Sequence, residues 1–394
     1  MSQCASEPVR QCASEPVRQC ASEPVSQCAS EPVRRSVGAP AGAADERILV
    51  VRLGAIGDAL RVLPAVRRLR QERPGATIAW AVEQWVYPAL AGNPHVDRFH
   101  VLDRGALRAG PWRALPEIVR FVREVRAGRY QTVLDFHGRL KSGLVGWSTG
   151  APVRIGYVRG QCTEGNHLFT NVHVTLDDPL ENRVLRFLHL LRALGIEADF
   201  DPRETGLSVP ADARERARRW HQEYGRPVVA AFPGTSRRQA AYHRWPAEKW
   251  IDLLGRLGSE GLGTMVFWGP DDAQEARAIA AAVPTGCRLA PATTLPELMA
   301  MVALCRVYIG SNTAATHMAW LQGVPTAVFL GPAHPRTDAP LPPVPSRVLS
   351  AVEHFVPGQR KREQPAVVAA LSVDTAYAAV HELLDQCASR PVSQ

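Results

Sequence analysis

The chain has 394 residues, 46% hydrophobic and 21% charged, with a formal net charge of +8. That composition suits two or three packed domains and excludes global disorder. Every basic residue except Lys141, Lys249 and Lys361 is arginine, a bias that a GC-rich genome explains first; read functionally, the positive balance suits an anionic glycolipid or a membrane surface, and nucleic acid is disfavoured because no RNA- or DNA-binding motif accompanies it.

Residues 1–45 carry four copies of the unit QCASEPVR or near variants, and QCASRPVSQ closes the chain. Ala, Ser, Glu and Pro with one valine per unit cannot build a core, so this segment reads as a disordered repeat tail. Five of the eight cysteines (Cys4, Cys12, Cys20, Cys28 and Cys387) belong to that unit. Cys162, Cys287 and Cys305 lie in the body without C-x-x-C spacing, which predicts a reduced, cytoplasmic protein without structural zinc. No charged-then-apolar leader and no run of 18 apolar residues is present, so neither export by that route nor a membrane span is expected.

The body is organised around Glu46–Arg70, ERILVVRLGAIGDALRVLPAVRRLR. Arg47–Leu53 reads as a parallel strand covered on both faces. Gly54 and Gly57 bracket a tight turn, and Asp58 falls where a helix N-cap belongs. The same position, at the carboxyl end of a first strand, is where open α/β sheets bind ligands. From this stretch alone Asp58 reads as a capping residue or as a site carboxylate. Pro64 predicts a kink, or a main helix that starts there. The spacing is not G-x-G-x-x-G, which disfavours a nicotinamide-dependent oxidoreductase.

Further strands are predicted at Thr77–Val82, Phe99–Leu102 and Thr132–Phe136, with helices over Pro116–Arg126 and Lys141–Gly150. A second series runs through Val228–Phe232, Thr264–Trp268, Cys287–Leu289, Val307–Ile309 and Thr326–Leu330. Such alternation predicts doubly wound parallel sheets. Asp201–Pro210 reads as a linker, giving domains at 46–206 and 207–372, followed by a helix at Val373–Asp385 and a repeat remnant within 373–394.

Two stretches carry chemistry. In Val307–Trp320, VYIGSNTAATHMAW, a strand runs through Asn312 and Thr313 into a helix. The backbone N–H groups of Thr313, Ala314 and Ala315 would suit a phosphate, with His317 one turn later. In Phe232–Trp250, FPGTSRRQAAYHRWPAEKW, Thr235 and Ser236 offer hydroxyls, and Arg237, Arg238, His243 and Arg244 offer positive charge for a diphosphate. Ordinary capping and a solvated basic loop are the plain alternatives.

From Arg47 to Pro343 the chain resembles glycosyltransferase family 9, the ADP-heptose:lipopolysaccharide heptosyltransferases. LGAIGDALRVLPAVRRLR resembles the family's glycine–aspartate loop. DFHGRLKSG at Asp135–Gly143 resembles its D-x-Q-G-x-x-K-S segment, and RIGYVRG with Glu164 its acceptor-side region. HRWP at His243–Pro246 resembles K-R-W-P, GSNTAATHMAW the D-T-G-x-x-H helix start, and GVPTAVFLGPAHP the strand and turn after it.

The resemblance implies an α/β fold of GT-B type, two Rossmann-like doubly wound parallel-sheet domains facing a cleft. It implies inverting transfer from ADP-heptose or a related nucleotide sugar to a lipopolysaccharide core or related glycan, with no metal and no cofactor. Asp58 would be the catalytic base. Donor binding would fall to Thr235, Ser236, His243, Arg244, Asn312, Thr313, Ala314, Ala315 and His317. Gly57, His137, Lys141 and Glu164 would meet an anionic glycolipid acceptor. Peripheral association with the inner face of the inner membrane is the corresponding localisation.

Four positions depart from the family's pattern: Asn312 for Asp, Ala314 for Gly, His243 for Lys and His137 for Gln. Asn312 keeps hydrogen-bonding capacity but loses a charge, and His243 is only partly charged near neutral pH. These departures motivate a second reading, a GT-B protein that binds a nucleotide sugar or glycan without turnover.

Overall fold

The computed structural model describes residues 46–225, 229–235, 244–331, 333–350 and 367–388. The repeat tail lies outside these residues, as do Ser236, Arg237, Arg238 and His243 of the basic motif.

The first sheet holds β1 (Arg47–Val51), β2 (Thr77–Glu83), β3 (Arg98–Leu102), β4 (Thr132–Asp135), β5 (Val153–Tyr157) and β6 (Val172–Val174). All pairings are parallel, in the order β3-β2-β1-β4-β5-β6. At its centre Leu49 lies opposite Ala79 on one side and Val133 on the other. The second sheet holds β7 (Val229–Phe232), β8 (Thr264–Val266), β9 (Cys287–Leu289), β10 (Val307–Ser311), β11 (Thr326–Phe329) and β12 (Ser346–Leu349), ordered β12-β11-β10-β7-β8-β9. Counted from each lobe's first strand, both sheets have the doubly wound order 3-2-1-4-5-6. This is the GT-B architecture expected from the sequence. Strands β5, β6 and β12 add to the predicted set.

In the first lobe α1 (Ile56–Glu72), α2 (Arg104–Arg108), α3 (Pro111–Ala127), α4 (Leu140–Ser148) and α5 (Arg183–Leu190) cover the sheet. Helix α1 corrects two expectations. Its N-cap is Ala55, so Asp58 sits inside the first turn and is not a cap. Pro64 neither starts the helix nor divides it. The ring removes one backbone donor, but Leu60, Leu63, Ala65, Val66 and Leu69 around it are fully buried and hold the helix through that position.

The second lobe carries α6 (Ala211–Tyr224), α7 (Ala247–Ser259), α8 (Ala273–Ala282), α9 (Leu295–Ala303), α10 (Ala314–Trp320), α11 (Pro335–Asp338), α12 (Val367–Ala370) and α13 (Val373–Ala388). Trp245, Trp250 and Phe329 form its aromatic centre, with ring centroids 4.7 to 5.4 Å apart. The Trp245 indole donates to the Leu371 carbonyl at 3.0 Å, which ties α12 and α13 to this lobe. The tryptophan of the HRWP motif is therefore a core residue. The stretch read as a linker is anchored to the first lobe: Asn93 Nδ2 donates to the Gly206 carbonyl at 2.8 Å, and Arg67 pairs with Glu204 at 3.3 Å.

Candidate active site

In a doubly wound sheet the chain leaves β1 and β4 in opposite directions, which opens a crevice at their carboxyl ends. Here the crevices of both lobes meet in one cavity of about 890 Å³. The first lobe contributes the β1–α1 connection with the start of α1, from Arg52 to Arg61, and the β4–α4 connection with the start of α4, from Phe136 to Lys141. The second contributes Asn312, Thr313, Ala314 and His317 after β10, and Asp338 on α11.

Asp58 lies at the centre, its side chain 18% exposed toward the cavity. It is clamped by the guanidinium groups of Arg52 and Arg61, and Arg183 at the start of α5 stands 3.9 Å away. Burial alone would raise its pKa, but these cations outweigh that and hold the carboxyl far below the usual carboxylate range. Asp338 crosses from the second lobe to the same cations, 3.0 Å from Arg61 and 3.0 Å from Arg183. Opposed in the same way by burial and by Arg183 and Arg61, its pKa is held down to about 2. Arg52, Arg61, Arg183 and Asp338 were not singled out in the sequence. Only Arg61, three residues after Asp58 on one helix, carried a local signal.

Two imidazoles flank this cluster. Trp320 Nε1 donates to His317 Nδ1 at 3.0 Å. An indole N–H can only donate, so Nδ1 is unprotonated and Nε2 carries the hydrogen. Burial first, then Arg61, pushes the His317 pKa down to about 3. Likewise the Leu53 N–H donates to His137 Nδ1 at 3.3 Å, and burial with Arg52 and Lys141 lowers that imidazole to about 2. Both rings are neutral hydrogen-bond donors at the cavity wall. Gly57 lets α1 approach α10: a Cβ there would lie 2.6 Å from His317 Cδ2.

At the first lobe's rim Glu83 gathers Lys141 Nζ at 2.7 Å, Trp85 Nε1 at 2.6 Å and Arg104 at 3.4 Å. Lys141 is thus already paired with a carboxylate. Burial would raise the pKa of Glu83, but the bonds from Lys141 and Trp85 outweigh it and lower the pKa. Behind His137, Asp135 is buried and accepts from the N–H groups of His137 and Gly138, from Ser142 Oγ and from Asn166 Nδ2. The first residue of the DFHGRLKSG motif therefore shapes the loop from within.

Of the predicted residues, the structure brings Gly57, Asp58, His137, Lys141, Asn312, Thr313, Ala314 and His317 to one cavity. Others stand apart from its lining. Thr235 and Ala315 are buried. Arg244 is taken up by Asp272 at 2.9 Å and Glu275 at 2.8 Å. Glu164 accepts from the Leu140 N–H at 3.3 Å and faces Arg139 at 3.7 Å, at the outer start of α4. Ser236 and His243 lie outside the described residues. No described helix is long and apolar enough to cross a membrane.

The family model for glycosyltransferase family 9 (heptosyltransferase) matches residues 118–363. The chain is 26% identical over 308 residues to lipopolysaccharide heptosyltransferase 2 of Escherichia coli, covering 75% of this chain and 85% of that protein. Its fold is similar to the crystal structure of a family 9 glycosyltransferase from Veillonella parvula, with a TM-score of 0.74, 21% identity and coverage of 86% and 98%. It is also similar to an E. coli heptosyltransferase determined with ADP, with a TM-score of 0.68, 20% identity and coverage of 86% and 99%.

Proposed function

The chain belongs to glycosyltransferase family 9, the heptosyltransferases, and from that premise we propose that it transfers a heptose from ADP-heptose to a lipopolysaccharide core or related glycolipid, inverting the anomeric carbon without a metal ion. The observation that carries this reading is the convergence of Asp58 from one lobe with Asn312, Thr313 and His317 from the other on a single arginine-lined cavity. The ADP-bound and curated relatives support the donor and the acceptor class. On this reading the enzyme would work in the cytoplasm, at the inner face of the inner membrane, where it would reach a lipid-anchored acceptor.

The chemistry follows from the charges. The leaving diphosphate gains negative charge as the anomeric C–O bond breaks. Arg183 and Arg61, which Asp338 now shares, and the start of α10 would meet it. His317 Nε2–H would donate to a sugar or phosphate oxygen. Asp58 is a weak base, so it would take the acceptor's proton late. Once the hydroxyl oxygen bonds to the cationic anomeric carbon its proton becomes strongly acidic, and even an arginine-clamped carboxylate accepts it. Lys141 and Glu83 would orient the acceptor's head group at the rim.

Purified protein given ADP-heptose and a core acceptor is expected to release ADP only when acceptor is present. The rate should be insensitive to EDTA, and the product should have inverted configuration by NMR. Asp58→Asn keeps the volume and a hydrogen-bonding oxygen but cannot hold the proton, and should lower turnover about 10²- to 10⁴-fold with donor binding retained. Donor binding with no ADP release even when acceptor is supplied, or turnover undiminished in that variant, would overturn the proposal.

A further inference from the structure

We propose that the outer face formed by α3, α4 and the turn Asn166–Leu168 docks on an anionic phospholipid bilayer. Helix α3 is apolar on two sides. Phe121 and Val125 enter the core, while Trp112, Leu115 and Val119 point outward at i, i+3 and i+7, with Trp112 91% exposed. Helix α4 repeats the pattern. Ser142, Gly143 and Gly146 pack inward, and Leu140, Leu144 and Trp147 face outward at i, i+4 and i+7, with Trp147 61% exposed. The two helices pack side by side, and α4 also touches the turn that carries Leu168, 75% exposed. Single exposed apolar residues are ordinary, but outward apolar stripes with two tryptophans on two helices in contact are the arrangement of an interaction surface.

Charge selects the occupant. Between Arg104 and Ser148 there are nine basic residues and three acidic ones. Of the acidic three, Asp135 is buried, Glu117 is bound by Arg120 at 2.6 Å and Glu124 by Arg120 at 2.5 Å. Arg108, Arg113, Arg123 and Arg126 are exposed and form no ion pair with any described residue. An outward stripe of Trp and Leu flanked by unpaired arginines matches the acyl–headgroup boundary of an anionic bilayer, where tryptophan and arginine both lower their free energy. A second copy of the chain would set these arginines against one another. The patch also adjoins the active-site mouth, since Arg139 and Lys141 at the start of α4 and Arg104 before α3 line the cavity. A bilayer on this face would present a lipid-anchored sugar acceptor to the first lobe. That purpose rests on the proposed acceptor; the docking itself does not.

The full-length protein should co-sediment with vesicles of phosphatidylcholine mixed with phosphatidylglycerol, more weakly with phosphatidylcholine alone, and less in high salt. Trp112→Ser and Trp147→Ser should each weaken partition about tenfold on both vesicle types. Arg113→Ser and Arg123→Ser should each weaken it about fivefold on the anionic vesicles only. Turnover of a water-soluble acceptor lacking acyl chains should be unchanged in all four variants, and their melting temperatures should match the parent, so a failed transferase assay and a failed docking assay are separable. The proposal falls if the parent ignores anionic vesicles, if the tryptophan variants bind as the parent does, or if sedimentation velocity shows that they dissolve a dimer.

Discussion

The two lobes use the same strand order, yet among the described residues their switch points are built from opposite materials. The first places charge there: Arg52, Asp58 and Arg61 around the β1 exit, with Arg183 beside them. The second places small polar groups, Asn312 and Thr313, and a neutral imidazole, His317. The contrast fits a division of labour. A charged, prepaired cluster can exchange its partners when an anionic substrate arrives, whereas a small neutral turn leaves room for backbone and hydroxyl contacts close to the ligand. One residue breaks the pattern. Asp338 carries a second-lobe negative charge into the first-lobe cluster, and this makes the arginines answer to both lobes.

Removing that crossing charge gives the largest expected effect on the comparison. Asp338→Asn preserves the volume but leaves Arg52, Arg61 and Arg183 with Asp58 as their only carboxylate in the cluster. Arg61 keeps Asp58 as its partner, whereas Arg183 is left with that carboxylate at 3.9 Å, so losing the charged contact should cost about 1 to 3 kcal/mol. Urea unfolding should show a loss of that order at neutral pH, and saturating ADP should restore part of it by supplying negative charge to the same cations. An unchanged midpoint would mean that the second lobe does not rely on this contact.

A smaller and more local change tests how closely the two switch points must meet. In Gly57→Ala the new methyl would lie 2.6 Å from His317 Cδ2 and 3.4 Å from Ala314 Cα, so the ring must swing or α1 must retreat. Overpacking of this kind costs about 1 to 3 kcal/mol, and alanine's helix preference of about 1 kcal/mol over glycine offsets part of it, so global stability should change little or fall slightly. Misplacement by about 1 Å of a group that orients substrate costs roughly 10²-fold in turnover. Full activity in this variant would show that the helices need not pack so tightly.

The division between lobes was partly legible before any coordinates. Strands β1, β2, β4, β7, β10 and β11 announce themselves because parallel strands covered on both faces become unbroken apolar runs. Strand β6 is three residues with an exposed His173 at its centre, too short and too polar to show a period. Strand β5 was hidden inside a motif read for chemistry. Asp58 and the Asn312–His317 turn were legible as loop residues following strands. Their partners were not. Arg61 and Asp338 are 277 residues apart, and in a chain whose positive charge is nearly all arginine, nothing local separates Arg52 and Arg183 from dozens of solvated ones. Arg244 shows the same limit: its neighbours in sequence are basic, but its neighbours in space are Asp272 and Glu275.

The two imidazoles provide the finest test, through pH. An unfolded histidine titrates near 6.5, whereas burial and adjacent arginines bring His317 to about 3 and His137 to about 2 in the folded protein. Below about pH 6.5 the unfolded chain therefore binds more protons than the native one, and stability falls as the pH drops, by at most about 1.4 kcal/mol per unit for each ring. Asp338, lowered to about 2, has the same sign but acts only below the ordinary carboxylate range, so it adds nothing between about pH 7 and pH 5. Over that window His317, His137 and His100 all lower stability as the pH falls, while Asp135, Glu46 and Glu275, whose pKa values burial raises, act in the opposite sense, so the histidine share is read from a single-ring variant. His317→Gln removes one titrating ring while leaving an amide oxygen that can accept from the Trp320 indole, and should flatten the slope by about one proton's worth. If the slope is the same in the variant, His317 is protonated in the folded state, its Nδ1 cannot be accepting from Trp320, and the neutral character assigned to the second lobe's switch point is wrong.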